Sequence, residues 1–366
     1  KGSPNARLLH NGDTFKVGNI ELKVRLTAGH TPEHMSFLVT DIGGAATEPM
    51  GLLSGDFLYV GDVGRPDLLE SAAGQMGLME PSARTLYQSL RGTADLAAHL
   101  QILPAHGAGS ACGKSLGGMP TSVLGYERLN NVPLREALHG SEGGFIRDIL
   151  SGQPEPPRYF ARMKRDNRAG PPLLAGGSLP GPRRLPMGEL AALVMGRKHL
   201  FLDLRPDRLD FMKQHLTGSL FAPMPGGKLP LVAGSYVDED ASIILVVNDG
   251  AEVDEAVRQL VRIGFDQVEA WIPASEALAV AGITTQQDGI AARAEEFAAG
   301  HVRGAQNIAH TRLTVRLAEV PQGRPVFVHC GSGLRASFAV SYLASVGREV
   351  IHVDGPFDQI PASIRE

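Results

Sequence analysis

Hydrophobic and polar residues alternate along residues 15–40. Phe15-Lys-Val-Gly-Asn-Ile-Glu-Leu-Lys-Val-Arg-Leu26 and Met35-Ser-Phe-Leu-Val39 repeat with period two, which predicts half-buried strands. Around Pro81 to Arg91 and Ala94 to Leu100 the apolar spacing becomes helical, ending just before the run Gln101-Ile-Leu-Pro104. Pro and Gly gather at 152–157 and 169–186, which reads as a linker and puts a first domain boundary near 175.

Beyond that point the pattern repeats. Phe211-Met-Lys-Gln-His-Leu-Thr-Gly-Ser219 aligns with Phe297-Ala-Ala-Gly-His-Val-Arg-Gly-Ala305, matching His215 to His301 and Gly218 to Gly304. Ile243-Ile-Leu-Val-Val247 with a helix to Phe265 parallels Pro325-Val-Phe-Val-His329 with a helix to Gly347. Each copy reads strand, turn, helix, strand, the pattern of a small α/β domain with a parallel sheet. Domains at 1–175, 176–275 and 276–366 are therefore expected. The first copy opens on the buried strand Leu200-Phe-Leu-Asp-Leu-Arg205, whereas the matching place in the second copy holds no such run. Residues missing near 286–291 are the expected reason.

Composition changes this picture little. The chain has 366 residues, 43% hydrophobic and 20% charged, with a net charge of -4. Two or three domains fit that length. No basic patch points to nucleic acid, and no apolar run of about 18 residues points to a membrane span. The two cysteines, Cys112 and Cys330, allow at most one disulfide. That favours a reducing compartment, hence the cytoplasm. Lys1 reads as a mid-domain position.

Two constellations carry chemistry. In the first, His30 lies in Thr27-Ala-Gly-His-Thr31, Asp56 ends Gly51-Leu-Leu-Ser-Gly-Asp56, and His106 lies in Leu103-Pro-Ala-His-Gly107. Ligand-type residues placed just after strand-like runs are aimed by the scaffold, which suits a metal site. In the second, Cys330 follows Val326-Phe-Val328 and opens the loop Gly331, Ser332, Gly333, Leu334, Arg335 before a helical run. Glycines allow backbone N–H groups to form an anion-binding nest, and a following helix N-terminus adds positive potential. Such a loop lowers a thiol's pKa and holds a charged sulfur adduct, with Arg335 closing the loop or binding an anionic substrate. The first repeat has Val247-Asn-Asp-Gly250 at this place, without cysteine.

The order His30, Asp56, His106 resembles the C-terminal half of a metallo-β-lactamase-fold site; the H-x-H-x-D-H cluster of that superfamily is nowhere in the chain. The run Gly61-Asp-Val-Gly-Arg-Pro-Asp-Leu68, with His106-Gly-Ala-Gly-Ser-Ala-Cys112 and Leu124-Gly-Tyr-Glu-Arg128, resembles persulfide dioxygenases of the glyoxalase II branch. The six-residue Cys330 loop, one residue shorter between Cys and Arg than in cysteine phosphatases, resembles rhodanese. Together they resemble the multidomain persulfide dioxygenase–rhodanese proteins. The resemblance implies an α/β chain, namely a metallo-β-lactamase αββα sandwich lacking its N-terminal part, then an inactive and an active rhodanese-like domain, each with a parallel sheet.

The implied activity is oxidation of a low-molecular-weight thiol persulfide by O2 at one Fe(II) per chain, giving sulfite and thiol. Sulfane sulfur would pass through a Cys330 persulfide to form or use thiosulfate, and linking the two sites raises the local sulfite concentration. His30 and Asp56 would ligate the iron, a third histidine would lie upstream of Lys1, and His106 would sit beside the metal. Arg65 would bind the carrier's carboxylate, or brace its own turn against Asp62 or Asp67. Cys112 reads as a packed small residue. The alternatives are a dinuclear zinc thioester hydrolase of glyoxalase II type and a non-catalytic sulfur carrier; a homo-oligomer is left open.

Overall fold

The alternating run near the N-terminus forms a hairpin. Strands β1 (Thr14–Val17) and β2 (Ile20–Leu26) pair antiparallel about Gly18-Asn19, where Gly18 takes φ +59°. The structure is a computed structural model that describes residues 7–72, 74–108, 110, 112–286, 305–330 and 333–352. It separates into two units, Lys1–Pro156 and Pro157–Glu366.

In the first unit β3 (Met35–Asp41), β4 (Gly51–Gly55), β5 (Gln101–Pro104) and β6 (Ser122–Val123) complete a six-stranded sheet in sequential order. Pairing is antiparallel from β1 to β4, parallel between β4 and β5, and antiparallel again to β6. Strands β2, β4 and β5 therefore run the same way, and the loops that follow them emerge at one end of the sheet. After the short α1 (Leu68–Ser71), α2 (Met79–Arg91), α3 (Leu124–Asn130), α4 (Val132–His139) and α5 (Glu142–Leu150) supply the helical layer. Leu38, Leu52 and Ile102 from one sheet face join Leu86, Leu90, Leu134 and Phe145 in its core.

The opposite face is also apolar. Register places Phe15, Leu22, Val24, Leu26, Phe37 and Leu53 together there, yet Leu26 is 49% and Leu53 39% exposed. One sheet and one helical layer of the expected sandwich are thus present among the described residues, with a face of the kind a second sheet covers.

Residues 94–100, expected to be helical, form turns instead. Helix α2 ends at Arg91, and Arg128 donates to the carbonyls of Thr93 and Leu96, oxygens that a continuing helix would use.

In the second unit α6 (Tyr159–Ala169) comes first, and Tyr159 packs against Gly234, where a Cβ would lie 2.1 Å from its ring. Short β7 (Arg183–Arg184), β8 (Leu200–Asp203), β10 (Leu220–Phe221), β11 (Ile243–Val247) and β12 (Val268–Pro273) form an all-parallel sheet in the order β10-β8-β11-β12-β7. Every residue of β11 is buried, as a central parallel strand requires. Its Ile243, Leu245 and Val247 face one core with α9 (Lys228–Tyr236) and α10 (Val253–Arg262). Its Ile244 and Val246 face another with α7 (Met187–Gly196) and α11 (Ala274–Ala277). The remaining short elements are β9 (His215–Leu216), pairing antiparallel with β13 (Thr284–Thr285), and α8 (Arg208–Lys213).

The cysteine-bearing part shows β14 (Val326–Val328) parallel to β15 (Val350–His352), joined by α12 (Leu334–Ser345). Phe338, Ala339, Tyr342 and Leu343 of α12 enter the core that Ile243, Leu245 and Val247 of the parallel sheet face, and Ser341 Oγ accepts from Phe221 N at 3.2 Å. The expected gap at 286–291, His301 and Gly304 lie outside the described residues, apart from Gln286. Among the described residues, no helix is long and apolar enough to cross a membrane.

Candidate metal centre and thiol loop

The three loops after β2, β4 and β5 carry His30, Asp56 and His106, so the sheet brings together the residues singled out from sequence. His106 Nε2 lies 3.0 Å from Asp56 Oδ1. Tyr59, fully buried, donates its hydroxyl to the same oxygen at 2.6 Å. His30 Nδ1 is 3.1 Å from the carbonyl of Arg65 and must donate to it, which turns Nε2 into the ring's acceptor. Metal-ligating histidines are oriented in just this way by a backbone carbonyl.

His34 positions Asp56 from below. The Asp56 amide donates to His34 Nε2 at 3.0 Å, so His34 carries its proton on Nδ1, which lies 2.9 Å from Thr27 Oγ1. The relay continues to Ser36 Oγ at 2.8 Å and ends on the carbonyl of Ser54 at 3.3 Å. Burial, then the neighbouring His30, pushes His34 below its ordinary pKa, which keeps it neutral and the relay in one direction.

Burial alone would raise the Asp56 carboxyl. The His106 hydrogen bond, the potential of His30 and the Tyr59 hydrogen bond outweigh that and hold it well below the usual carboxylate range. His106 is pushed up to about 10 by its hydrogen bonds to Asp56 and then to Cys112. Burial, then the charge of Asp56, pushes the Tyr59 phenol far above its ordinary value, so it remains a neutral donor.

Sequence reasoning missed Tyr59 and the loop's supports. Asp62 accepts from Lys114 N and Ser115 N at 2.9 and 2.8 Å, and Glu127 accepts from Gly61 N at 2.8 Å. Buried Asn131 donates to the carbonyls of Asp62 and Tyr59 at 2.9 and 3.3 Å. The signals for these residues were the density of Gly and Asp in the run 61–67 and, for Glu127, the segment Leu124-Gly-Tyr-Glu-Arg128.

Cys112, read as a packed small residue, is half-buried in the centre. Its Sγ and donor atoms of Asp56 and His106 all lie within 4.8 Å of one another. Arg65 is 1% exposed, and its guanidinium grips Asp67 through Nε at 3.0 Å and Nη2 at 2.6 Å. Of the two expected partners for a brace, the geometry shows Asp67. A carboxylate, an imidazole with a fixed acceptor nitrogen and a second donor cluster fit a divalent metal ion.

In the second unit Cys330 is 1% exposed at the end of β14, and both cysteines are free thiols. Gly333 takes φ +76° and opens α12, whose N-terminus follows the loop. Leu334 and Arg335 are half-buried, while Gly331 and Ser332 lie outside the described residues. The corresponding strand end of the first repeat holds Asn248 and Asp249. There Arg205 forks onto Asp203 and donates to the carbonyls of Asp210 and Gln214, a structural clasp.

Residues 291–362 match the model of the rhodanese-like domain. A metallo-β-lactamase from Staphylococcus aureus subsp. aureus COL is 36% identical, with 74% of this chain and 72% of that chain covered and a TM-score of 0.60. That span is longer than the first unit and so runs into the second. ETHE1 from Myxococcus xanthus is 24% identical over 46% of this chain and 64% of its own, with a TM-score of 0.34. A thiosulfate sulfurtransferase from Pseudomonas aeruginosa is 17% identical over 48% of this chain and 41% of its own, with a TM-score of 0.24. The chain belongs to the metallo-β-lactamase family, here fused to a rhodanese-like domain.

Proposed function

We propose that the chain is a bifunctional sulfur enzyme that oxidises a low-molecular-weight thiol persulfide and transfers sulfane sulfur through Cys330. The observation that carries the reading is the convergence of His30, Asp56 and His106 at one end of the first sheet, on a chain whose second unit presents a cysteine loop. Asp56 and His30 would hold one Fe(II) per chain. When bound, the iron would supply the redox chemistry by which O2 converts RSSH and water to RSH, sulfite and two protons. Tyr59 and His106 keep the Asp56 carboxylate charged and oriented, and the His34 relay fixes the backbone that carries it.

In the rhodanese-like part, the Cys330 thiolate attacks the sulfane sulfur of thiosulfate, forms an S–S bond and releases sulfite; the reverse step forms thiosulfate. Gly333 and the start of α12 support this by placing backbone N–H groups and helix potential beside the loop. Two free thiols suit a reducing cytoplasm. The test is O2 uptake and sulfite formation with glutathione persulfide, alongside thiosulfate sulfurtransferase assays. Cys330→Ser is expected to abolish sulfur transfer and leave O2 uptake intact; survival of transfer would refute the assignment.

A further inference from the structure

Asp56 Oδ1 takes two hydrogen bonds at once, from Tyr59 Oη at 2.6 Å and from His106 Nε2 at 3.0 Å. A carboxylate can bridge two metal ions by giving one oxygen to each, or through a single oxygen that has a lone pair free for both. Here Oδ1 is already engaged by both donors. A second set of donors nevertheless stands ready: Asp56, His106 and Cys112 offer oxygen, nitrogen and sulfur within 4.8 Å of one another. That mixture suits a borderline-soft divalent ion such as Zn2+ or Co2+.

We propose that Tyr59 is the positioning residue that keeps this centre mononuclear: its phenol holds Asp56 Oδ1 against His106 and so prevents Asp56, His106 and Cys112 from closing around a second divalent cation. The inference rests on the one-metal reading above. Tyr59 is suited to the task because it is fully buried and its hydroxyl is delivered by a fixed backbone. Tyr59 N donates to Asp62 O at 2.9 Å, Asn131 holds the Tyr59 carbonyl, and Leu58 and Val63 form a bridge across the turn. The Tyr59 ring meets His106 edge-on at 5.9 Å between centroids, so it also limits how far the imidazole can swing.

The experiment uses the full-length protein carrying Cys330→Ser, which leaves Cys112 as the only thiol of the two cysteines in this sequence. It is titrated with Co2+ alone, and thiolate-to-cobalt charge-transfer absorption reports Cys112 as a ligand. The parent is expected to bind one equivalent without a thiolate band. Tyr59→Phe keeps the ring and removes the hydroxyl. It is expected to gain the band with an added equivalent, bound about tenfold or more tighter than any second ion in the parent. Cys112→Ser on top should remove the band again. A thiolate band in the parent, or none in a folded Tyr59→Phe protein, overturns the role given to Tyr59. The cobalt count separates the two ideas: two equivalents in the parent sink the one-metal reading, whereas one equivalent in both proteins sinks only the inference about Tyr59.

Discussion

Gly64→Ala tests whether the centre depends on how two turns cross. A Cβ built on Gly64 lies 1.8 Å from Asp56 O, 2.9 Å from Asp56 C and 3.2 Å from His30 Cβ. Real Cβ contacts essentially begin at 3.0 Å, so the Asp56 carbonyl and residue 64 must part by about 1.2 Å. The obstacle is backbone, and Gly64 N is tied to Phe57 O at 3.1 Å, so the displacement passes into the segment that carries Asp56. Disturbing the support that orients a metal ligand costs about 10–100-fold in metal affinity. Overpacking of this kind also costs about 1–3 kcal/mol of stability. The expected result is Co2+ binding about 10–100-fold weaker in equilibrium dialysis, with far-ultraviolet circular dichroism still that of folded protein. Unchanged cobalt affinity in folded Gly64→Ala would refute the reasoning, because the ligand turns would then be shown to move independently of this crossing.

Two further outcomes follow from buried groups. Arg65→Ala leaves the buried Asp67 carboxylate without its fork and should lower stability by about 3–5 kcal/mol, and Arg65→Lys should rescue it poorly because a single ammonium cannot reproduce the bidentate grip. An Arg65→Ala protein with unchanged melting and only a raised KM would instead mark Arg65 as a substrate contact. Burial lowers the His215 pKa below 6.5, where the ring stacks on Phe211 at 4.0 Å and bonds the Phe211 carbonyl. The unfolded chain therefore binds the proton more readily than the folded one, so this contribution is complete above pH 6.5 and is lost as pH falls below it. The single tryptophan, Trp271, lies in β12 of the same unit, so urea unfolding followed by its fluorescence reads this unit directly. A midpoint that stays level on acidification through pH 6.5 would remove His215 from the account.

Much of the site was legible because its residues follow recognisable strand patterns. His30, Asp56 and His106 each come just after an apolar run, and loops at strand ends are where a sheet presents side chains. Period-two alternation predicted β1, β2 and β3, and the Ile243–Val247 segment followed by a helix predicted a strand of a parallel sheet. Helical spacing misled at 94–100, where Arg128 from a distant helix takes the carbonyls that would have continued α2. Tyr59 gave no signal, since an aromatic inside an apolar run reads as core; what matters is where its hydroxyl ends.

The sequence by itself determined the element types, the repeat and the short list of groups able to do chemistry, because periodicity and residue type are local properties. Tertiary structure decided what each group is for. The parallel direction of β2, β4 and β5 gathers three loops that lie far apart in the chain. Burial pairs Arg65 with Asp67, since a guanidinium 1% exposed needs a carboxylate beside it. Proximity sets Cys112, expected as a small packed residue, beside Asp56 and His106. Those roles depend on distances of a few ångströms between residues remote in sequence, and only the packed chain sets them.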